Sequence, residues 1–127
     1  MRVLVVDDER TMLETIRRGL LLYGHECLTA IDADEALIQI DSPQGEMIDL
    51  LLTDLTMPGK SGLSLIEQAR TIRKELPVVV ITGLNSSMDI QKVRDLGLPL
   101  LQKPFNPEQL DCTLREAAAA KVEDNPS

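Results

Sequence analysis

The sequence predicts an α/β domain: a parallel β-sheet with helices packed on both faces. Three observations lead there. The length, 127 residues, suits one core. Short apolar runs lack the alternation of a half-exposed strand, so they read as strands buried on both faces. Segments with helical periodicity separate these runs, and strands alternating with helices imply right-handed crossovers in one parallel sheet.

The elements follow in order. Val3 to Val6 is the first strand. The first helix places Met12, Leu13, Ile16 and Leu20 on one face, and Gly24 can supply its left-handed C-terminal cap. A weaker strand runs from Glu26 to Ile31. Asp32 and Glu35 resemble a capping box for a second helix with Ala36, Leu37 and Ile40 inward. Asp49 to Thr53 is the third strand, closed by Asp54. The third helix spans about Leu63 to Lys74, with Leu65, Ile66, Ala69 and Ile72 inward. Val78 to Thr82 is the fourth strand. The fourth helix, Ser87 to Leu96, stops at Gly97. Leu100 to Gln102 is the fifth strand. A fifth helix starts near Pro107 and uses Leu110, Leu114 and Ala117. The domain is expected over residues 1–119, with 120–127 a tail or the start of a linker.

Composition narrows the function. Apolar residues make up 43% and aromatics only 2%, so the core must be aliphatic. The formal net charge of −8 argues against direct nucleic-acid binding, which needs a basic face. It suits cations or a basic partner surface. Cys27 and Cys112 have no metal-ligand spacing and read as free packing thiols. No stretch has the length of a membrane span, and no secretory signal is evident, so a cytoplasmic location is expected. His25 falls at a turn and is assigned no catalytic part.

In open parallel sheets ligands bind beyond the carboxyl ends of the strands. There the sequence places Asp7, Asp8 and Glu9, then Asp54, then Thr82 and Gly83, then Lys103, Pro104 and Phe105. Singly, each is an ordinary cap, loop or strand residue. Together they put carboxylates, a hydroxyl and a lysine at one edge. Crowded carboxylates repel one another, and a hard divalent cation, Mg²⁺ or Mn²⁺, relieves that repulsion.

The segments "VLVVDDE", "LLLTDLTMPGKSG", "VVVITG" and "LLQKPF", in this order and spacing, resemble a response-regulator receiver domain. The resemblance covers the chain from its first residue to about Ala119. It implies a flavodoxin-like, doubly wound five-stranded sheet of order 2-1-3-4-5. It implies that Asp54 is the phosphoacceptor, and that Asp7, Asp8, Asp54 and the Thr56 backbone carbonyl hold Mg²⁺. Lys103 would contact the acceptor and then the phosphoryl group, and Thr82 would hydrogen-bond that group after transfer. The Lys103–Pro104 peptide bond would be cis. The implied role is a phosphorylation switch rather than a conventional enzyme. A sensor histidine kinase or histidine phosphotransfer protein would be the donor, and a downstream protein or fused output domain the target. One position departs from the family pattern: where a switch Tyr or Phe is usual, three residues before the lysine, this chain has Leu100, and the preceding loop from Gly97 is one residue short.

Three other readings compete. A flavin or nucleotide carrier on this fold needs a Gly/Ser/Thr-rich loop after strand one, and "DDERT" is the opposite. A phosphohydrolase of the D-x-D-x-T kind needs an acid where Thr56 stands. A receiver-like docking module without phosphorylation would not need the complete acidic set.

Overall fold

The computed structural model describes residues 1–55, 57, 59, 61–83 and 87–123, with backbone alone at 87–89 and 121–123. Five strands, β1 (Arg2–Val6), β2 (Glu26–Ala30), β3 (Leu50–Asp54), β4 (Val78–Thr82) and β5 (Leu100–Gln102), form one parallel sheet of order β2-β1-β3-β4-β5. The helices are α1 (Arg10–Leu22), α2 (Ala33–Asp41), α3 (Gly62–Ile72), α4 (Ser87–Asp95) and α5 (Pro107–Glu123). The order and the element types are those expected. Helix α5 carries residues 120–123; residues 124–127 of the expected tail lie outside the described residues.

The sheet divides the core into two layers. Val3, Val5, Leu50, Leu52, Val79, Ile81 and Leu101 pack under α1 and α5, through Leu13, Ile16, Leu20, Leu110, Leu114 and Ala117. Leu4, Val6, Leu51, Val78 and Val80 face α2, α3 and α4. This is the period of two working in strands that are apolar on both sides. Burying each such side chain stabilises by about 1.5–3 kcal/mol before entropy is subtracted.

Helix ends follow local chemistry. Asp32 accepts the Glu35 N–H at 2.8 Å, which is half of a capping box. Gly24 and Gly97 take positive φ, 80° and 70°, as left-handed caps require. Helix α5 opens with a complete reciprocal box. Asn106 Oδ1 accepts the Gln109 N–H at 2.7 Å, and Gln109 Oε1 accepts the Asn106 N–H at 2.9 Å.

Four details correct the sequence reading. A short 3₁₀ helix, Pro43–Met47, precedes β3; Pro43 and Gly45 disguise it as loop. Gly45 is required there, because a Cβ would sit 1.8 Å from the Ile40 carbonyl oxygen. Helix α3 ends at Ile72, not Lys74: Arg73 turns extended and sends its guanidinium to the carbonyls of Gly45 and Ile48. Ile72, expected inward, is therefore left 41% exposed on the last turn. Cys112, expected to pack, is exposed and donates to Glu116 Oε1 at 3.4 Å, whereas Cys27 is half-buried beside the α1/α5 layer.

His25 is not a simple turn residue. It is buried, its Nε2 lies 2.5 Å from Asp111 Oδ1, and its Nδ1 lies 3.1 Å from the Met1 amino group. With Asp111 ionised, Nε2 donates and Nδ1 accepts. Arg115 donates to the other Asp111 oxygen through Nε and Nη2. This chain of contacts ties α5 to the sheet. The Arg115 hydrogen bonds, aided by His25 and opposed by burial, hold the Asp111 carboxyl below its ordinary value of 3.8. A depressed carboxyl contributes stability above the unfolded pKa and loses it as pH falls through the folded one. Asp111→Asn should therefore lower the melting temperature at neutral pH, a loss of stability on the order of 2 kcal/mol. Melts at decreasing pH should show the gap from the native protein closing below pH 3.8.

Candidate functional site

Strand register builds the site. Val6 pairs with Thr53, so the next residue, Asp7, stands beside Asp54 at the strand mouths. Thr82 pairs with Gln102, and the Lys103 N–H donates to the Thr82 carbonyl at 2.8 Å. Alternation then sorts the side chains. Asp7 continues the Val3–Val5 side, Asp54 the Leu50–Leu52 side and Lys103 the Leu101 side, all toward α1 and α5. Thr82 continues the Val80 side, toward α4.

The three acids converge. Carboxylate oxygens of Asp7, Asp8 and Asp54 lie within 4.8 Å of one another. Asp7 is fully buried, Asp54 is 7% exposed and Asp8 is exposed. Lys103 Nζ is 3.5 Å from Asp7 Oδ2 and 3.5 Å from Asp54 Oδ2, a long bridge between the two buried carboxylates. Asp7 is further fixed by the Glu9 N–H, which donates to Oδ1 at 2.9 Å. Asp8 is not the cap of α1: Glu9 holds that position, with no capping side-chain bond.

The electrostatics are unbalanced. Among the described residues, three clustered carboxylates face one ammonium, a formal excess of two negative charges. Burial raises the Asp7 pKa above 3.8, and the Asp54 charge adds to this, while the Glu9 N–H and Lys103 oppose it. At Lys103 burial pulls the pKa down, but the charges and hydrogen bonds of Asp54 and Asp7 outweigh it and the net shift is upward. The ammonium is thus secure at neutral pH. An all-oxygen donor set with an excess of two negative charges fits a hard divalent cation such as Mg²⁺.

Of the residues expected at the site, the fold brings together Asp7, Asp8, Asp54 and Lys103. Thr82 is 4% exposed at the end of β4, next to the Lys103 backbone but on the opposite face of the sheet. Leu100 is half-buried and packs with the α4-side core, the layer that Val80 and Val93 share. The Lys103–Pro104 peptide bond is cis. Thr56, expected to offer its carbonyl, and Pro58 of the following turn lie outside the described residues.

Two supports were not read from the sequence as such. The Asn106–Gln109 box fixes the start of α5 just after Lys103, and its N-x-x-Q spacing was the available signal. Gly62 opens α3 against the Asp54 backbone, where a Cβ would come 2.3 Å from the Asp54 carbonyl oxygen. The sequence offered only a tight entry to the helix, not the contact with the Asp54 carbonyl. Gly62→Ala should push β3 and α3 apart at Asp54 and cost about 1–3 kcal/mol, read by denaturant melts.

The raised Asp7 pKa gives a second test. A carboxyl with a raised folded pKa lowers stability once ionised. That cost is complete above the folded pKa and is relieved as pH falls through it. Asp7→Asn keeps an acceptor for the Glu9 N–H and removes the charge. It should raise the neutral-pH melting temperature in chelator, a gain of about 1 kcal/mol. Asp8→Asn, at an exposed position, should gain less. Excess Mg²⁺ should reverse the order of native and Asp7→Asn protein, because the variant lacks one of the three clustered carboxylates.

Comparison with known proteins agrees with this geometry. The family model described as the response regulator receiver domain matches residues 3–115. Response regulator MprA of Mycobacterium avium is 37% identical over 116 residues, 91% of this chain and 50% of that protein. Transcriptional regulatory protein CpxR of Klebsiella pneumoniae is 34% identical over 119 residues, 90% of this chain and 47% of that protein. The chain thus spans about half the length of these curated relatives. Among solved structures, a response regulator receiver domain protein from Clostridium thermocellum superposes with a TM-score of 0.88 at 28% identity, covering 98% of each chain. Chemotaxis protein CheY4 of Vibrio cholerae superposes at 0.80 with 31% identity, covering 91% of this chain and 97% of that one. Among the described residues, no helix is long and apolar enough to cross a membrane. The fold, the acidic cluster and these matches together make the chain a member of the response regulator receiver domain family, the receiver of a two-component system.

Proposed function

We propose that this chain is an aspartyl-phosphate switch, with Asp54 as the phosphoacceptor. The observation that carries the reading is a nearly buried carboxylate at a strand mouth, 3.5 Å from Lys103 and within 4.8 Å of two further acids. A carboxylate so held can attack phosphorus. In the proposed step an Asp54 oxygen forms the new P–O bond as the P–N bond of a phosphohistidine breaks. The imidazole leaves with the electron pair.

The residues have distinct parts. Asp7 and Asp8, with Asp54 and the Thr56 carbonyl, would hold Mg²⁺ (Mn²⁺ fits the same donors), which when bound supplies positive charge to the phosphoryl oxygens. Lys103 supplies a second, fixed charge to the same oxygens. Its present contacts to Asp7 and Asp54 keep it on that side of the sheet. Thr82 would donate its hydroxyl to the phosphoryl group after transfer. Leu100 lies on Thr82's face of the sheet, and we assign it the switch position. An aliphatic side chain already half-buried there repacks by small shifts rather than by swinging a ring inward.

The donor is a sensor histidine kinase or a histidine phosphotransfer protein, the setting is the cytoplasm, and the changed surface acts on a downstream protein or a fused output domain. The greater length of the regulatory relatives supports the last point. The chain promotes its own phosphorylation and dephosphorylation without turning over an external substrate. The complete charge set weighs against a docking module that is never phosphorylated.

Intact-mass measurement after incubation with Mg²⁺ and acetyl phosphate tests the assignment. One phosphoryl group should appear, require Mg²⁺, and be absent from Asp54→Asn; a group mapped to another residue of the native protein overturns it. Lys103→Ala should leave Mg²⁺ affinity within a few-fold, since an ammonium is no metal ligand, and slow phosphorylation by about tenfold or more. Equal rates in a stopped assay would reduce Lys103 to a structural counter-ion.

A further inference from the structure

The acidic site occupies the carboxyl ends of the strands. At the opposite edge, where β4 and β5 begin, a cleft of about 430 Å³ opens between the ends of α3 and α4 and the later turns of α5. Buried Val78 and Leu98 line it together with exposed Leu96, and α5 contributes Ala117. The last turn of α3 contributes Arg70 and the segment after it Lys74, partly offset by Glu75. The cleft therefore carries one net positive charge in a chain of net charge −8. The Arg70 Nε is buried and, among the described residues, has no hydrogen-bond partner. That atom is closed to solvent, so a group entering the cleft meets the outer part of the guanidinium rather than Nε.

We infer that this cleft binds a small amphipathic carboxylate, its head against Arg70 and Lys74 and its apolar body against Leu96, Leu98 and Ala117. The volume falls within the range of small-ligand sites. A planar carboxylate matches the guanidinium fork and balances the single net charge, whereas a doubly charged phosphate would face Glu75 uncompensated. A ligand there rests on the first residues of β4 and β5. Those strands lead at their other ends to Thr82 and Lys103.

Octanoate and its neutral counterpart octanamide are suitable probes, titrated into the full isotope-labelled chain and followed by amide NMR. Octanoate should shift Leu96, Leu98 and Ala117 saturably, and octanamide should bind at least about tenfold more weakly. Arg70→Ala should weaken octanoate by a similar factor. Arg70→Lys, which keeps the charge but loses the fork, should recover part of it. Lys74→Ala, at an exposed position, provides a variant whose folding is not at risk and should weaken octanoate about threefold or more. Equal affinity for the two probes, shifts confined to other residues, or binding of an acidic peptide where octanoate fails would each overturn the proposal.

Discussion

Among the described residues, two buried carboxylates share one ammonium, and the rest of the site is built around that crowding of negative charge. Asp7 and Asp54 lie side by side because β1 and β3 pair in parallel with Val6 opposite Thr53. Lys103 reaches both from the end of β5 at 3.5 Å. Asp8 adds a third carboxylate from the exposed side. Crowded carboxylates of this kind are costly to bury, and a bound divalent cation would offset that cost. The site is thus tuned to its ligands at the expense of the ligand-free fold.

The surrounding scaffold makes that tension possible. Strands apolar on both faces supply a rigid frame whose stability comes from Leu, Ile and Val packing rather than from the site. Rigidity at the strand mouths is set by close contacts. Gly62 lets α3 abut the Asp54 carbonyl, the Glu9 N–H orients Asp7, and the Asn106–Gln109 box anchors α5 just beyond Lys103. Far from the site, the buried His25–Asp111–Arg115 contacts hold α5 against the sheet. Charge strain is therefore confined to one edge.

Much of this was legible in the sequence. Aliphatic runs such as "VVVIT" at Val78–Thr82 identify doubly buried strands, and the strand-end rule gathers Asp7, Asp54 and Lys103 at one edge. What was not legible depends on contacts distant in sequence. The pairing of His25 with Asp111 spans 86 residues and leaves no local trace. The 3₁₀ turn at Pro43–Met47 is held by Arg73 from another element. The end of α3 at Ile72 follows from the same arginine, so periodicity alone carried that helix too far. Strand alternation puts Thr82 on the α4 face with Leu100, at the same strand edge as the acids.

The central claim is that the excess charge at Asp7, Asp8 and Asp54 is a divalent-cation site. A Mg²⁺ titration of the isotope-labelled protein, followed by amide NMR near neutral pH, tests it most directly. The account predicts saturable shifts centred on Asp7, Asp8, Asp54 and Lys103, weakening as pH falls and Asp7 takes up its proton. Unsaturable shifts, or saturable ones centred instead on the surface acids of α2, Asp34 and Glu35, would contradict it.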